Sequence, residues 1–291
     1  YLSANLDNSN NLNKHLLNGL SADGIPSNLV NSSHPFIFND SKSLESAFNK
    51  FPDNVAAVIM EPIRGEQPSQ EFLKCLKKLL KKHSSYLIID EVTAGFRENL
   101  GGYHLKLKIE PDICILGKSL GNGYPISAVI GKTDPMRAAE TSFISSTFFS
   151  ERLGFVAAIA TLDFMEKNET YLALTKWGSM IKEKWIELAS QENLPIKLSG
   201  LDPLATFVFD DAENSNLMLT IFIQEMLKRG FLAGGSVYTS YAYSLSDIKS
   251  YFCAVEEVFK LISVAYHSKR KSSLRNLLQS EVKHSGFQRL N

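Results

Sequence analysis

The chain has 291 residues, 44% of them hydrophobic and 21% charged, which supports a packed core and excludes disorder as the main state. Lys plus Arg and Asp plus Glu each number 31, so the formal net charge is zero and no global field draws the chain to nucleic acid or an anionic membrane. No apolar run approaches the roughly 20 residues that a membrane-spanning helix needs.

The chain begins at Tyr1, and its first 25 residues are rich in Asn, Ser and Leu, without the basic start and apolar stretch of a signal peptide. This is the expectation for a chain whose beginning is missing. With no secretory context, the Asn-x-Ser/Thr matches at Asn31 and Asn168 read as chance. Cys75, Cys114 and Cys253 show no paired spacing and sit among apolar residues. They predict reduced, buried thiols in a cytoplasmic protein, with no metal role.

From Val55 to Met60 a β-branched and Ala-rich run predicts a strand that stops at Glu61-Pro62. A helix follows, with Phe72, Leu73, Leu76, Leu79 and Leu80 on one side and Lys74, Lys77, Lys78, Lys81 and Lys82 on the other. No aromatic residue interleaves with those lysines, so they predict a solvated face rather than a nucleic-acid patch. Two further aliphatic runs end at Asp90 and near Leu116, and a third spans Ile126 to Ile130. The alternation of strand and helix predicts an α/β fold with a mostly parallel sheet flanked by helices.

A helix over residues 151–166 is expected to bury Leu153, Val156, Ala157, Ala160 and Phe164, and a second covers about Tyr171 to Ser190. Beyond it come a strand at Leu204–Phe209, a helix from Ser215 to Arg229 stopped by Gly230, and a helix from about Ser246 to Ala265 capped by the Ser244 region. This reads as a smaller α+β domain. The division predicted is 1–168 for the larger domain and 169–291 for the smaller one. Its tail carries Lys269, Arg270, Lys271, Arg275, Lys283 and Arg289 against the single acid Glu281, a composition that predicts a loosely ordered terminus.

The chemistry gathers where two apolar runs stop. The first ends in Asp90-Glu91-Val92-Thr93-Ala94-Gly95-Phe96-Arg97 and the second in Gly117-Lys118-Ser119-Leu120-Gly121-Asn122-Gly123. Ligands of α/β sheets sit at the carboxyl ends of strands, so Asp90 and Lys118 are expected to face one crevice. A phosphate-loop reading of Gly117-Lys118-Ser119 fails, because that motif needs a glycine at position 112, which is Asp. A lysine in a partly dry cleft is instead a nucleophile able to form a Schiff base. A neighbouring carboxylate suits the protonated ring nitrogen of pyridoxal phosphate. Taken singly, Asp90 reads as a cap or ion-pair partner and Lys118 as a surface lysine. Their occurrence at two successive strand ends favours the chemical reading.

Together with Pro111-Asp112, Pro125 and the upstream Glu61-Pro62-Ile63-Arg64-Gly65-Glu66, these motifs resemble the class III pyridoxal-phosphate aminotransferases. The arrangement is most similar to the glutamate-1-semialdehyde aminomutase-like branch, and the resemblance covers most of residues 55–265. It implies a transferase of fold type I, a smaller C-terminal domain and a homodimer that shares its active sites. It also implies pyridoxal 5'-phosphate as cofactor, Lys118 as the Schiff-base lysine and Asp90 as the partner of the ring nitrogen. Val92 would pack on the ring, and Thr147 would donate to the phosphate held by the partner subunit. The activity implied is amino-group transfer, of aminotransferase or 2,1-aminomutase type, on small-molecule amino donors and acceptors.

Relatives carry, ahead of the matching part, a phosphate-binding Gly-Ser/Thr turn and an aromatic residue that stacks on the ring. Neither is found before Val55. That departure keeps open a rival expectation, a catalytically silent fragment or subunit that keeps the fold for association only. Arg64 is open between a substrate anion site and a surface salt bridge.

Overall fold

A computed structural model describes residues 24–29, 32–63, 65–268 and 273–284. Arg64, Asn31, the first 23 residues and the tail residues Lys269, Arg270, Lys271 and Arg289 lie outside the described residues. The chain divides into two compact units. One comprises Tyr1–Met60, Gln67–Ile88 and His284–Asn291, the other Glu61–Glu66 and Ile89–Lys283.

In the first unit, α1 (Ser41–Lys50) starts at Asp40, whose carboxylate accepts from the backbone N–H of Lys42 and Ser43. Strand β1 (Ala57–Met60) is followed by α2 (Gln70–His83), whose N-cap Ser69 accepts from Phe72 N at 3.1 Å. Helix α2 buries Phe72, Leu73, Leu76 and Leu79 and turns its lysines to solvent, as its spacing predicts. Strand β2 (Tyr86–Asp90) returns beside β1. Tyr86 N donates to Ala56 O at 2.9 Å, so both strands start level and run parallel through a helical crossover.

Strands β1, β2, β3 (Ile113–Leu116) and β4 (Ala128–Gly131) are ordered 1-2-3-4, and the unit boundary falls inside β2. Glu91 N donates to Ile115 O at 2.8 Å, which brings the ends of β2 and β3 level. Strand β4 runs antiparallel to β3, pairing Leu116 with Ala128, so the mostly parallel sheet is a mixed one. Under it Phe96, Cys114, Leu116, Leu120 and Ala158 form a small core.

Helices α3 (Thr133–Thr141), α4 (Arg152–Asn168) and α5 (Thr170–Gln191) follow. The face expected for α4 is wrong. Gly154 and Ala158 are its buried residues, Leu162 and Met165 pack partly beside them, and Leu153, Val156 and Phe164 are exposed. The helix is apolar nearly all round, so periodicity offers no single stripe, and close packing against Ile126 selects the smallest residues.

In the C-terminal half, β5 (Ile196–Ser199), β6 (Leu204–Phe209) and β7 (Ser236–Tyr238) form an antiparallel sheet in that order. Helix α6 (Ser215–Lys228) and helix α7 (Leu245–Tyr266) pack with it around Phe207, and a short α8 (Ser273–Leu277) closes the described chain. The Phe207 ring lies 4.8 Å from Trp185, 5.2 Å from Phe222 and 5.8 Å from Phe259, centroid to centroid. Helix α7 opens with a full capping box, Ser244 with Asp247. This is the α+β architecture expected of the smaller part.

The three cysteines are unpaired, but only Cys114 is buried. Cys75 is half-buried and Cys253 is exposed, because α7 turns that position away from its packed stripe at Val255, Val258 and Phe259.

Candidate active site

The loops that follow β2 and β3 leave level strand ends, and every described candidate residue before α3 lies on one of them. Asp90 is the last residue of β2, and its Oδ1 accepts from Val92 N at 2.9 Å, an Asx turn that holds the carboxylate over the loop. Val92 points at the next strand's loop. A Cβ on Gly117 would lie 3.5 Å from Val92 Cγ1, so the valine packs on the backbone immediately ahead of Lys118.

Lys118 opens a 3-10 turn, Lys118–Leu120, anchored by buried Leu120. Its φ of 43° is left-handed, a conformation that costs a non-glycine residue roughly 1–2 kcal/mol. The backbone N–H groups of Gly121 and Asn122 both return to Lys118 O and hold it there. Gly121 has no room for a side chain, since a Cβ would fall 2.1 Å from Tyr124 O. The Lys118 Nζ donates to Thr93 Oγ1 at 2.7 Å.

Thr93 is the hinge of the arrangement. With Asp90, Glu61, Ile63 and Gly200 it lines a cavity of about 500 Å³. Lys118 lines a second recess of about 460 Å³ with Arg97, Ser119, Asn122 and Tyr124. Lys118 itself does not line the Asp90 cavity; its amine is bonded to Thr93, which does. Asp90 and Lys118 thus stand at neighbouring strand ends but line two separate spaces linked by the Lys118–Thr93 bond, rather than the one crevice expected, and Val92 lines neither. The expectation of a partly dry lysine is corrected too: the 3-10 turn lifts Lys118 off β3, and its side chain is exposed. The plainer readings are also present in part, for Asp90 does cap a turn and Lys118 does sit in a glycine-flanked loop.

Thr147 lines neither space. It is exposed in the turn formed by residues 147–150, ahead of α4.

The structure adds residues that sequence reasoning did not select. Arg97 donates from Nε to Thr93 O at 2.7 Å, and its guanidinium lies 5.3 Å from the Tyr238 ring centre. Burial pulls the Arg97 pKa below its ordinary value. Glu91, fully buried, takes the backbone N–H of His104 on Oε1 at 2.8 Å and faces His104 Nδ1 at 2.8 Å. Gly102 permits that approach, because a Cβ there would lie 2.3 Å from His104 Nδ1 and 2.7 Å from Glu91 Oε1. The Cys114 thiol below is pushed up to about 11, chiefly by burial and then by the charges of Glu91 and Asp90. Thr93, Arg97 and Glu91 all stand in the motif after β2. No periodicity exists in such a loop to say which side chains face the cavity.

One wall of the Asp90 cavity comes from the C-terminal half. The segment from Ser199 to Leu201 is held by Lys182, whose Nζ donates to Gly200 O at 2.7 Å and to Asp202 Oδ1 at 3.0 Å. Ala94, Tyr103 and Leu201 pack together behind it, with Ile63 and Leu204 alongside.

The model of the family described as aminotransferase class-III matches residues 22–249. A glutamate-1-semialdehyde 2,1-aminomutase of Heliobacterium modesticaldum is 25% identical over 260 residues, 82% of this chain and 60% of that protein. A 3-aminobutyryl-CoA aminotransferase of Cloacimonas acidaminovorans is 29% identical over 214 residues, 70% of this chain and 52% of that protein. Among solved structures, the PLP internal aldimine form of the Sphingopyxis sp. MTA144 FumI protein superimposes with a TM-score of 0.78 at 25% identity, covering 88% of this chain and 63% of that one. The chain thus spans roughly half to two-thirds of the length of these relatives.

Proposed function

We propose, since this chain belongs to the class III aminotransferase family, that it carries the lysine and the carboxylate of a site for amino-group transfer dependent on pyridoxal 5'-phosphate. The reaction is of aminotransferase or 2,1-aminomutase type, on small-molecule amino donors and acceptors. The observation that carries this reading is the 2.7 Å bond from Lys118 Nζ to Thr93, a residue that shares a cavity with Asp90.

The residues fit the cofactor by their chemistry. An amine, an acceptor-only carboxylate and a branched apolar side chain at the ends of two level strands match an aldehyde, a ring N–H and a ring face. When bound, pyridoxal phosphate supplies the aldehyde that reacts with amines and the ring that accepts the electron pair left by proton removal. Lys118 would be the amine that holds it, Asp90 would accept the ring N–H, and Val92 would pack on the ring. With its Nζ free, Lys118 would take a proton from the amine-bearing carbon of a substrate and return it as general acid. The left-handed backbone at Lys118 aims the side chain out of the strand line, toward Thr93, where that exchange needs it.

Thr147 serves the cofactor phosphate of a second copy in a homodimer, a role supported by its exposure beside uncovered phenylalanines. The unpaired cysteines support a cytoplasmic setting. The functional domains divide at 168/169, where α4 gives way to α5.

The experiment mixes the purified chain with pyridoxal phosphate and records its absorption. Wild type develops the visible band of a lysine-bound cofactor, and Lys118→Ala does not. Identical spectra from the two proteins would sink this reading and leave the silent-subunit alternative standing.

A further inference from the structure

Strand β7 borders a further cavity, of about 360 Å³, the size of a small-ligand site. The strand is also its common wall with the Asp90 cavity. Tyr238 lines both spaces, and Ser236, which lines this one, shares a 3.0 Å hydrogen bond with Thr206, which lines the other.

The lining has one sign of charge. Phe231, Tyr238, Tyr243 and Tyr251 supply four aromatic rings, and among the described residues no Lys, Arg or His joins them. The lone charge is Asp247, which is exposed and so stands at the rim. The Ser244 hydroxyl donates to its Oδ2 and the Ser244 backbone N–H does so at 2.9 Å, bonds that hold the carboxylate below its ordinary pKa and therefore ionised. Its Oδ1 has no partner among the described residues. The other hydroxyls are engaged within the protein: Tyr243 donates to Tyr238 O at 3.1 Å, and Tyr251 accepts from Trp185 Nε1 at 3.1 Å. A full carboxylate charge outweighs the partial positive end of α7, so anions are repelled. A cation with an apolar body suits such a lining, since aromatic rings and a carboxylate attract its charge and its methyl groups require no hydrogen bonds.

We propose that this cavity binds a hydrophobic organic cation of the quaternary ammonium type, as an effector of the neighbouring site. A quaternary nitrogen has no lone pair for a Schiff base, so this ligand is no amino donor and the site goes beyond amino-group transfer. Tyr238 carries the effect across. Its ring lies 5.3 Å from the Arg97 guanidinium, Arg97 Nε donates to Thr93 O at 2.7 Å, and the Thr93 hydroxyl accepts from Lys118 Nζ at 2.7 Å. A ligand that steadies Tyr238 restricts the loop to which Lys118 is bonded.

Calorimetric titration of the purified chain, without cofactor, with benzyltrimethylammonium chloride tests the site. Wild type binds it, and benzyl alcohol, which has the ring without the charge, binds about tenfold more weakly. Leu232 lines the cavity yet is 95% exposed, so a charge there leaves the fold intact. Leu232→Lys weakens binding and Leu232→Glu strengthens it, each by about two- to fivefold. Leu172→Lys, at an exposed position of α5 outside the cavity, changes nothing. Asp247→Asn, which keeps an oxygen for the cap, weakens binding like Leu232→Lys; if its thermal midpoint shows misfolding, the Leu232 pair decides. Hydrogen exchange with the probe at saturation slows in residues 236–238 and in residues 93–97. No binding by wild type, equal binding of benzyl alcohol, or indifference to the charge at position 232 overturns the site. Protection confined to β7 overturns the effector role.

Discussion

The packing around Phe207 and the surface around Phe148 use the same kind of residue to opposite ends. Phe207 is 0% exposed, ringed by Trp185, Phe222 and Phe259, and every wall of that core comes from this chain. From Phe143 through Phe164, by contrast, Phe143 is 98% exposed and Phe148 76%, and Leu153, Phe155, Val156 and Ile159 are more than half exposed. Apolar side chains exposed in such number are the kind that another protein surface would cover. The C-terminal region closes its own core. The segment around α4 closes only one stripe of its helix, Gly154 and Ala158, and leaves the rest outward.

The comparison can be broken at several points. Phe207→Ala should cost about 3–5 kcal/mol in denaturant unfolding, because it opens a cavity among four other aromatic rings. A loss below about 1 kcal/mol would mean that this core is loosely packed and the contrast is overdrawn. Gly178→Ala comes next. A Cβ there would lie 1.8 Å from Asp202 O, so the loop that carries Gly200 into the Asp90 cavity must move. About 1–3 kcal/mol of overpacking should outweigh the roughly 1 kcal/mol gained in helix propensity. Cofactor uptake, read by absorbance, should weaken alongside.

A smaller effect concerns pH. The Asp211 carboxylate is held below its ordinary range by the backbone N–H of Asn214 and then by the Tyr266 hydroxyl, which donates at 2.8 Å. A depressed carboxylate pKa stabilises the fold above the unfolded value of about 3.9, and that contribution disappears as pH falls through the lower folded value. Tyr266→Phe should therefore cost about 1 kcal/mol near pH 6 and progressively less below about pH 4. Urea midpoints measured across that range check it, and a loss that is constant with pH would assign the effect to packing. The smallest effect belongs to the other region. Phe148→Ser should change unfolding free energy by no more than about 0.5 kcal/mol while reducing self-association in sedimentation. A large loss of stability would place Phe148 in a core after all.

Those two regions also explain what could be read in advance. Helices α2 and α7 were legible because each carries a single apolar stripe and a capping residue, Ser69 or Ser244, at its start. Helix α4 has apolar residues on all sides, so its period carries no direction, and the stripe that spacing predicts is not the one it buries. The short strands β5 and β7 and the helices α1 and α3 carry too few periodic residues to stand out. Asp90, Val92 and Lys118 were visible because each follows an aliphatic strand. Arg97 and Thr93 were on view in the same motif, but nothing in a loop sequence says that one threonine accepts from two cations.

By itself the amino-acid order determined where strands stop and which groups stand there, because apolar runs, caps and glycines act over a few neighbouring residues. Tertiary structure decided what those groups touch. The levelling of β2 with β3, the turn that lifts Lys118 off its strand and the pairing of buried Glu91 with His104 join residues 13 to 25 positions apart. Such contacts depend on packing between elements, which no local pattern encodes.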